Sequence, residues 1–477
     1  MRFPLLAKVG AIALVGLMLT AVLMRIEGLV GERKGRGEEA VRGVEHSHAA
    51  AQSVLGPLVV RSCIEEWEDV TDGDKGRTVK PMRQEFDLQQ APGRLTVDAR
   101  TQTEPLRRGL YKINTWAGHF AVDAEFPRFT ALQPSAPQHA GGRVRCGAPA
   151  LLVALSDVRG VRAAAINIDG QARAAEPGAY ATSYPGGFHV TLPAARIEGD
   201  AGAQPLAAHL ELDLIGTRQL AWVPAAGSLR WTLHSDWPHP SFGGQFAPEQ
   251  REVRADGFSA TWKLSALATN AASDIASGLA LCAPSSIGEE SGDPAARSDK
   301  CLELMSVAFI DPINPYVLSD RATKYDLLFI VLTFIAVGLI EVLSGRRVHP
   351  VQYLLVGLAL ALFFLLLLSL SEHLAFEQAY AAAACACAAL LGFYAASMLG
   401  RRLAGALFGL GIALLYGLLY ALLQMEQNAL VIGSVMLFAA LATVMTLTRR
   451  IDWYALFAHW RLGGESSRTP SAGGTAA

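Results

Sequence analysis

Residues Leu327 to Leu370 read LLFIVLTFIAVGLIEVLSGRRVHPVQYLLVGLALALFFLLLLSL, two apolar runs divided by one basic turn that holds Arg346 and Arg347. Each run is near the roughly 20 residues that a helix needs to cross hydrocarbon. Further runs of the same kind follow at Ala379 to Leu399, Leu403 to Leu423 and Ala429 to Leu447. The short connections alternate in charge. Arg346 and Arg347 are followed by Glu372 and Glu377 without Lys or Arg, then Arg401 and Arg402, then Glu426 alone, then Arg449 and Arg450. Basic turns face the cytoplasm, so the C-terminus lies inside and the segment before Leu327 lies outside.

At the other end, Val9 to Met24 is a charge-free run that ends in Arg25, Ile26 and Glu27 rather than at a small-residue cleavage site. This reads as an uncleaved anchor, not a removed signal peptide. The N-terminus then lies in the cytoplasm and the whole middle of the chain outside it, with Arg2 and Lys8 in agreement. Arg25, Arg33, Lys34 and Arg36 follow the first span on its outer side, against the rule. The five consistent turns outvote them.

Composition supports this division. Of 477 residues, 51% are apolar and 18% charged, and the apolar excess is gathered at the two ends. The stretch from Ile26 to Asp320, roughly 290 residues, is long enough to bury a core of its own. The formal net charge of −2 without a basic cluster argues against a nucleic-acid partner.

Period-two alternation predicts strands at Leu110 to Trp116, Phe188 to Leu192, Leu206 to Leu214, Leu229 to Leu233 and Phe258 to Leu264, with turns such as Pro185-Gly186-Gly187 between them. The expected domain is mainly antiparallel and sandwich-like. The expected layout is an anchor over 1–25, a helical stalk over 26–55, the β domain over 56–320, five membrane helices over 321–450 and a tail over 451–477. Cys282 and Cys301 flank a polar loop, so a bridge is predicted there, and elimination pairs Cys63 with Cys146. Cys385 and Cys387 fall in a small-residue span, where a packing role is expected.

No Walker loop, His-Glu-x-x-His, nucleophile elbow or Cys-x-x-Cys occurs, so neither an enzyme nor a cofactor is expected. His46 and His48 stand in a charged stalk without neighbouring Cys or Asp, and no metal site is predicted there. Ser235 to Phe242 is rich in rare residue types. Its Asp236, Trp237 and His239 read as a rigid Pro-fixed corner in preference to a ligand site, with Asp236 and His239 placed to hydrogen-bond across the turn. At the outer interface, Asp320, Arg321 and Lys324 open the second span while Glu372 and His373 end the third. Their charges are expected to pair there or to form a proton or ligand site. Glu341 is the ionisable residue nearest the hydrocarbon runs, too little to suggest an ion-coupled carrier.

Five stretches together resemble the inner-membrane CreD family, also called the cell envelope integrity protein family. They are Ser235-Asp236-Trp237-Pro238-His239-Pro240-Ser241-Phe242 with Arg251-Glu252-Val253, Leu318 to Tyr325, His349-Pro350-Val351-Gln352-Tyr353 through Leu358, Leu370-Ser371-Glu372-His373, and Ile451-Asp452-Trp453-Tyr454-Ala455. Asp452 and Trp453 enter the candidate set on this ground. The resemblance implies a Gram-negative inner membrane and a periplasmic β domain. It also implies production under a two-component system that answers cell-wall stress, β-lactams included, and a link to colicin tolerance. It brings no catalytic residues. The loop from Cys282 to Cys301 looks longer than the family pattern, which does not require these cysteines. Expected partners are the lipid bilayer and other envelope proteins or cell-wall components; the oligomeric state is open. A second reading is a membrane handler of a lipid or cell-wall intermediate at the periplasmic leaflet, using Asp320, Arg321, Glu372 and His373.

Overall fold

The computed structural model describes residues 4–73, 76–134, 137–197, 204–284, 301–311, 315–344, 348–424 and 429–449. The chain divides into two compact units, one formed by Met1–Arg36 with Ile313–Ala477 and the other by Gly37–Pro312. Helix α1, Pro4–Ser47, belongs to both. It is one continuous helix, so the expected anchor and stalk are a single element.

The second unit is built from β1 (Gln52–Gly73), β2 (Gly76–Gln90), β3 (Arg94–Arg108), β4 (Tyr111–Phe126), β5 (Arg143–Cys146), β6 (Ala150–Leu155), β7 (Val161–Ile168) and β8 (Gln171–Arg173). They are followed by β9 (Glu176–Pro177), β10 (Gly187–Thr191), β11 (Leu206–Thr217), β12 (Gln219–Trp222), β13 (Ser228–Ser235), β14 (Pro240–Gly244), β15 (Gln250–Arg254), β16 (Gly257–Ser265), the short helix α2 (Ala271–Ala276) and β17 (Met305–Phe309). The first sheet runs β14-β17-β12-β1-β6-β10-β9, with β2 and β5 also on β1; the second runs β15-β16-β13-β3-β4-β11-β7-β8. Pairing is antiparallel except for β1 with β12 and β3 with β13. β1 begins at Gln52, so the last residues of the expected stalk belong to the sheet.

The strand β11 shows why the alternation folds as it does. Leu206, Ala208, Leu210 and Leu212 are buried, whereas Ala207, His209, Glu211 and Asp213 face outward. One face of each sheet lines a shared core in which Trp116, Trp222, Trp231 and Trp262 are fully buried. Trp231 and Trp262 are cross-strand partners, their rings stacked at 4.3 Å. The strand β6 is buried on both faces. Leu151 and Val153 join the sandwich core, while Leu152 and Ala154 join a second cluster with Val60, Tyr184 and Ile275 of α2.

In the first unit, α3 (Pro315–Thr323) and α4 (Asp326–Ser344) are followed by α5 (Pro350–Ser371), α6 (Phe376–Leu399), α7 (Arg402–Gln424) and α8 (Ala429–Thr448). Among the described residues, four helices are long and apolar enough to cross a membrane: α1, α5, α6 and α7. A fifth span exists if α3 and α4, bent by 46° at their break, form one crossing. Six spans were expected. The last, α8, is helical and apolar, but over Gly433–Thr446 it counts among the shorter apolar helices.

Local signals set these ends. His349 caps α5 by accepting the amide of Val351, the Gln352 side chain returns to the His349 amide, and Pro350 occupies the first turn. Gly400, at φ 63°, closes α6 in the left-handed conformation. Close approach is set by small residues. A Cβ on Gly405 would lie 2.4 Å from that of Ala396, and one on Gly392 would meet the Gly405 carbonyl and the Gly409 Cα at 3.2 Å. Such spacing lets α6 and α7 pack backbone to backbone. On α5, Gly357 leaves room for Leu19 of α1.

Candidate functional site

In the β domain, Asp236 does not meet His239 as expected. Its carboxylate accepts the amide and hydroxyl of Thr103, at 2.9 and 3.0 Å, because β3 runs parallel to β13 and presents Thr103 just past the end of the pairing. The indole of Trp237 donates to the carbonyls of His239 and Ile310, and Lys112 lies 5.8 Å above its ring while pairing with Asp311 at 3.4 Å. His239 is exposed. Asp236 and Trp237 thus hold together β3, β13 and the segment after β17. Its chemistry is that of a brace.

A second brace fixes the end of α1. The carboxylate of Asp157 accepts the Ala50 amide at 2.9 Å, while Arg159, paired with Asp157 at 2.6 Å, donates to the His46 carbonyl. Thr217, at the end of β11, donates its hydroxyl to Ala49 and its amide to Ala50. Ile113 of β4 packs with Ala40 and Val44. Burial pushes the His48 imidazole below its ordinary pKa, with the charge of Arg162 acting the same way.

In the helical unit the expected outer cluster is divided. Asp320 pairs with Lys324 one turn on, at 3.2 Å, and Arg321 is half-buried on the same helix. Glu372 pairs instead with Arg33 of α1 at 3.3 Å, and His373 is exposed. The cause is α1, which carries a cation to Glu372 from 339 residues away. Arg36 likewise pairs with Glu32, so two of the four basic residues that contradict the charge rule sit in ion pairs.

The best-built polar site was read only as an isolated carboxylate. Glu341, 5% exposed, pairs with Lys8 of α1 and accepts the Tyr353 hydroxyl at 3.1 Å and the Val348 amide at 3.2 Å. Three elements, α1, α4 and α5, thus meet on one carboxylate. Lys8 stands at the start of the first apolar run and Glu341 near the end of the second, but nothing in their spacing joins them. Cys387 is buried with its Sγ 3.6 Å from the Ala359 carbonyl, and Cys385 is exposed.

Cys63 and Cys146 are joined by a disulfide between facing positions of β1 and β5, and Cys282 is joined to Cys301. Asp452 and Trp453 lie outside the described residues, as do the turn at Arg346 and Arg347 and the acidic turn at Glu426.

Comparison with known proteins agrees along almost the whole chain. A family model described as Inner membrane protein CreD matches residues 4–454. The Inner membrane protein CreD of Escherichia coli K12 is 34% identical over 456 residues, 95% of each chain. Among solved structures, two of an M1 zinc metallopeptidase from Deinococcus radiodurans, one bound to a Tyr-Ser-Ala substrate, are each 11% identical over 46% of this chain. They are covered to 42% and 41%, with a TM-score of 0.19 in both cases, and no inference follows from so low a score. The protein belongs to the inner membrane protein CreD family.

Proposed function

We propose that this chain maintains envelope integrity by contact rather than by catalysis, with its β domain in the periplasm and both termini in the cytoplasm. It is produced during cell-wall stress, including β-lactam exposure, under a two-component system, and its level alters colicin tolerance. Its working partners are the bilayer and envelope proteins or cell-wall components met by the β domain. One observation carries the contact reading: Glu341, Glu372 and Asp320, three of the carboxylates around the membrane helices, are held in ion pairs. A proton or ligand site would need such groups available. The two disulfides of the β domain favour an oxidising compartment.

Alkaline-phosphatase fusions test the placement: activity is expected at Gly187 and none at Gly345, and the reverse pattern overturns it. Complementation of a deletion strain tests the mode of action. Glu372→Ala and His373→Ala are expected to restore the stress phenotype at normal protein levels. Loss of complementation in a folded variant would favour a handler of a lipid or cell-wall intermediate instead.

A further inference from the structure

The outer face of the second sheet carries an unbroken row of acids and imidazoles across β4 and β11. His209 Nδ1 lies 2.7 Å from Asp123, and its Nε2 lies 3.5 Å from Glu211. From the other side, His119 Nε2 lies 3.8 Å from the second oxygen of Glu211, while its Nδ1 lies 2.7 Å from Asp213. The order is Asp123, His209, Glu211, His119, Asp213. Each of these four links is a neutral–anion contact while the imidazole carries no charge and becomes a cation–anion contact on protonation.

The same two strands hold the end of α1. Ile113 and Tyr111 of β4 pack on Ala40 and Val44, and Thr217 of β11 bonds Ala49 and Ala50. We propose that this row is a proton-responsive clamp: acidification tightens the β4–β11 pair and with it the grip on the end of α1.

The flanking strands set the charges that face the row. In register on β3, Arg100 faces His119, Asp98 faces Ala121, Thr96 faces Asp123, and Arg94 pairs with Glu125 at 3.4 Å. Beyond it on β13 stand Arg230, Thr232 and His234. On the other flank, β7 offers Asn167, Ala165 and Ala163 in register, with the exposed Arg162 in the bulge opposite Asp213 and Leu214. The hydrogen bond to Asp123 raises the His209 pKa above its ordinary value, against a smaller effect of burial. A raised folded value means that the added stability is complete below the ordinary imidazole value and is lost as pH rises through the folded one.

Hydrogen exchange of the full-length protein in detergent, corrected for the intrinsic pH dependence, tests the clamp wherever in the cell the domain resides. From pH 8 to pH 5.5, protection of 115–126 and 206–217 should rise about three-fold or more relative to 257–265, with 40–50 following. The double variant His119→Asn, His209→Asn should show no rise. A flat wild-type profile, or the same rise in the variant, overturns the proposal; because the wild type alone decides the first outcome, a variant that fails to fold does not protect it.

Discussion

The hydroxyl of Tyr353, three residues into α5, donates to the carboxylate of Glu341, near the end of α4, at 3.1 Å, and Lys8 completes the site from the far end of the sequence. A buried carboxylate is costly unless its lone pairs are met, and here a cation, a phenol and an amide meet them. Removing one partner should therefore cost more than removing the whole group. Lys8→Ala is expected to lower the stability of the detergent-solubilised protein by about 3 kcal/mol, the low end for a broken buried pair because Lys8 retains some water. Lys8→Met combined with Glu341→Leu should lie closer to wild type. Thermal unfolding of purified protein, followed by size exclusion, checks the order. Equal loss in both variants would show that the pair is not the source.

The backbone contact of α6 with α7 makes a sharper steric prediction. Gly405→Val places a Cβ 2.4 Å from that of Ala396, so the helices must separate, at about 1–3 kcal/mol or more. Gly417→Ala, on the same helix with nothing within 4 Å of the new Cβ, should be silent or slightly stabilising. Comparing the amount of folded protein recovered from membranes for the two variants separates packing from a general intolerance of α7.

How much of this was legible depended on how local the cause was. The strand that became β11 was readable because its buried and exposed residues alternate, and so were β13 and β16. The strands β1 and β6 gave no such pattern: Leu151 and Val153 enter one core and Leu152 and Ala154 another, so the sequence between Ala150 and Leu155 is continuously apolar. His349, Pro350 and Gln352 were legible as a motif, and their work proves to be a helix cap. The pairs that define the sites were not legible. Lys8 with Glu341, Arg33 with Glu372 and Thr103 with Asp236 are each joined by the fold across 133 or more residues, where spacing says nothing.

The disulfide between Cys63 and Cys146 closes 83 residues and that between Cys282 and Cys301 closes 19. In the chain-entropy account the longer loop gives the larger effect, about 4.5 kcal/mol against about 3 kcal/mol. Cys146→Ser should therefore lower the melting temperature of the β domain more than Cys301→Ser does. Alkylation of the denatured protein without reductant should label Cys385 and Cys387 alone; labelling of more than two thiols would refute the bridges.

Acid should loosen the junction of α1 with the β domain through Asp157. Burial by itself raises the pKa of its carboxyl, but hydrogen bonds from the Arg159 side chain and from the amides of Ala50 and Arg159 outweigh it, leaving the group below its ordinary value. For a depressed folded value the contribution to stability is complete above the unfolded pKa, about 3.9, and is lost as pH falls through the folded one. Between pH 7 and pH 5, then, the wild type should not change on this account, and Asp157→Asn should remain less protected at 40–50 by a constant margin. Below about pH 4 the margin should shrink as the wild-type carboxyl takes up its proton. This response runs opposite to that of the His119 and His209 row, which strengthens on acidification and does so at higher pH. Exchange at 40–50 should accordingly be slowest at mildly acidic pH and faster on both sides. In Asp157→Asn the loss on the acid side should be blunted while the alkaline side is retained, and a variant that alters the alkaline side instead would separate Asp157 from the acid response.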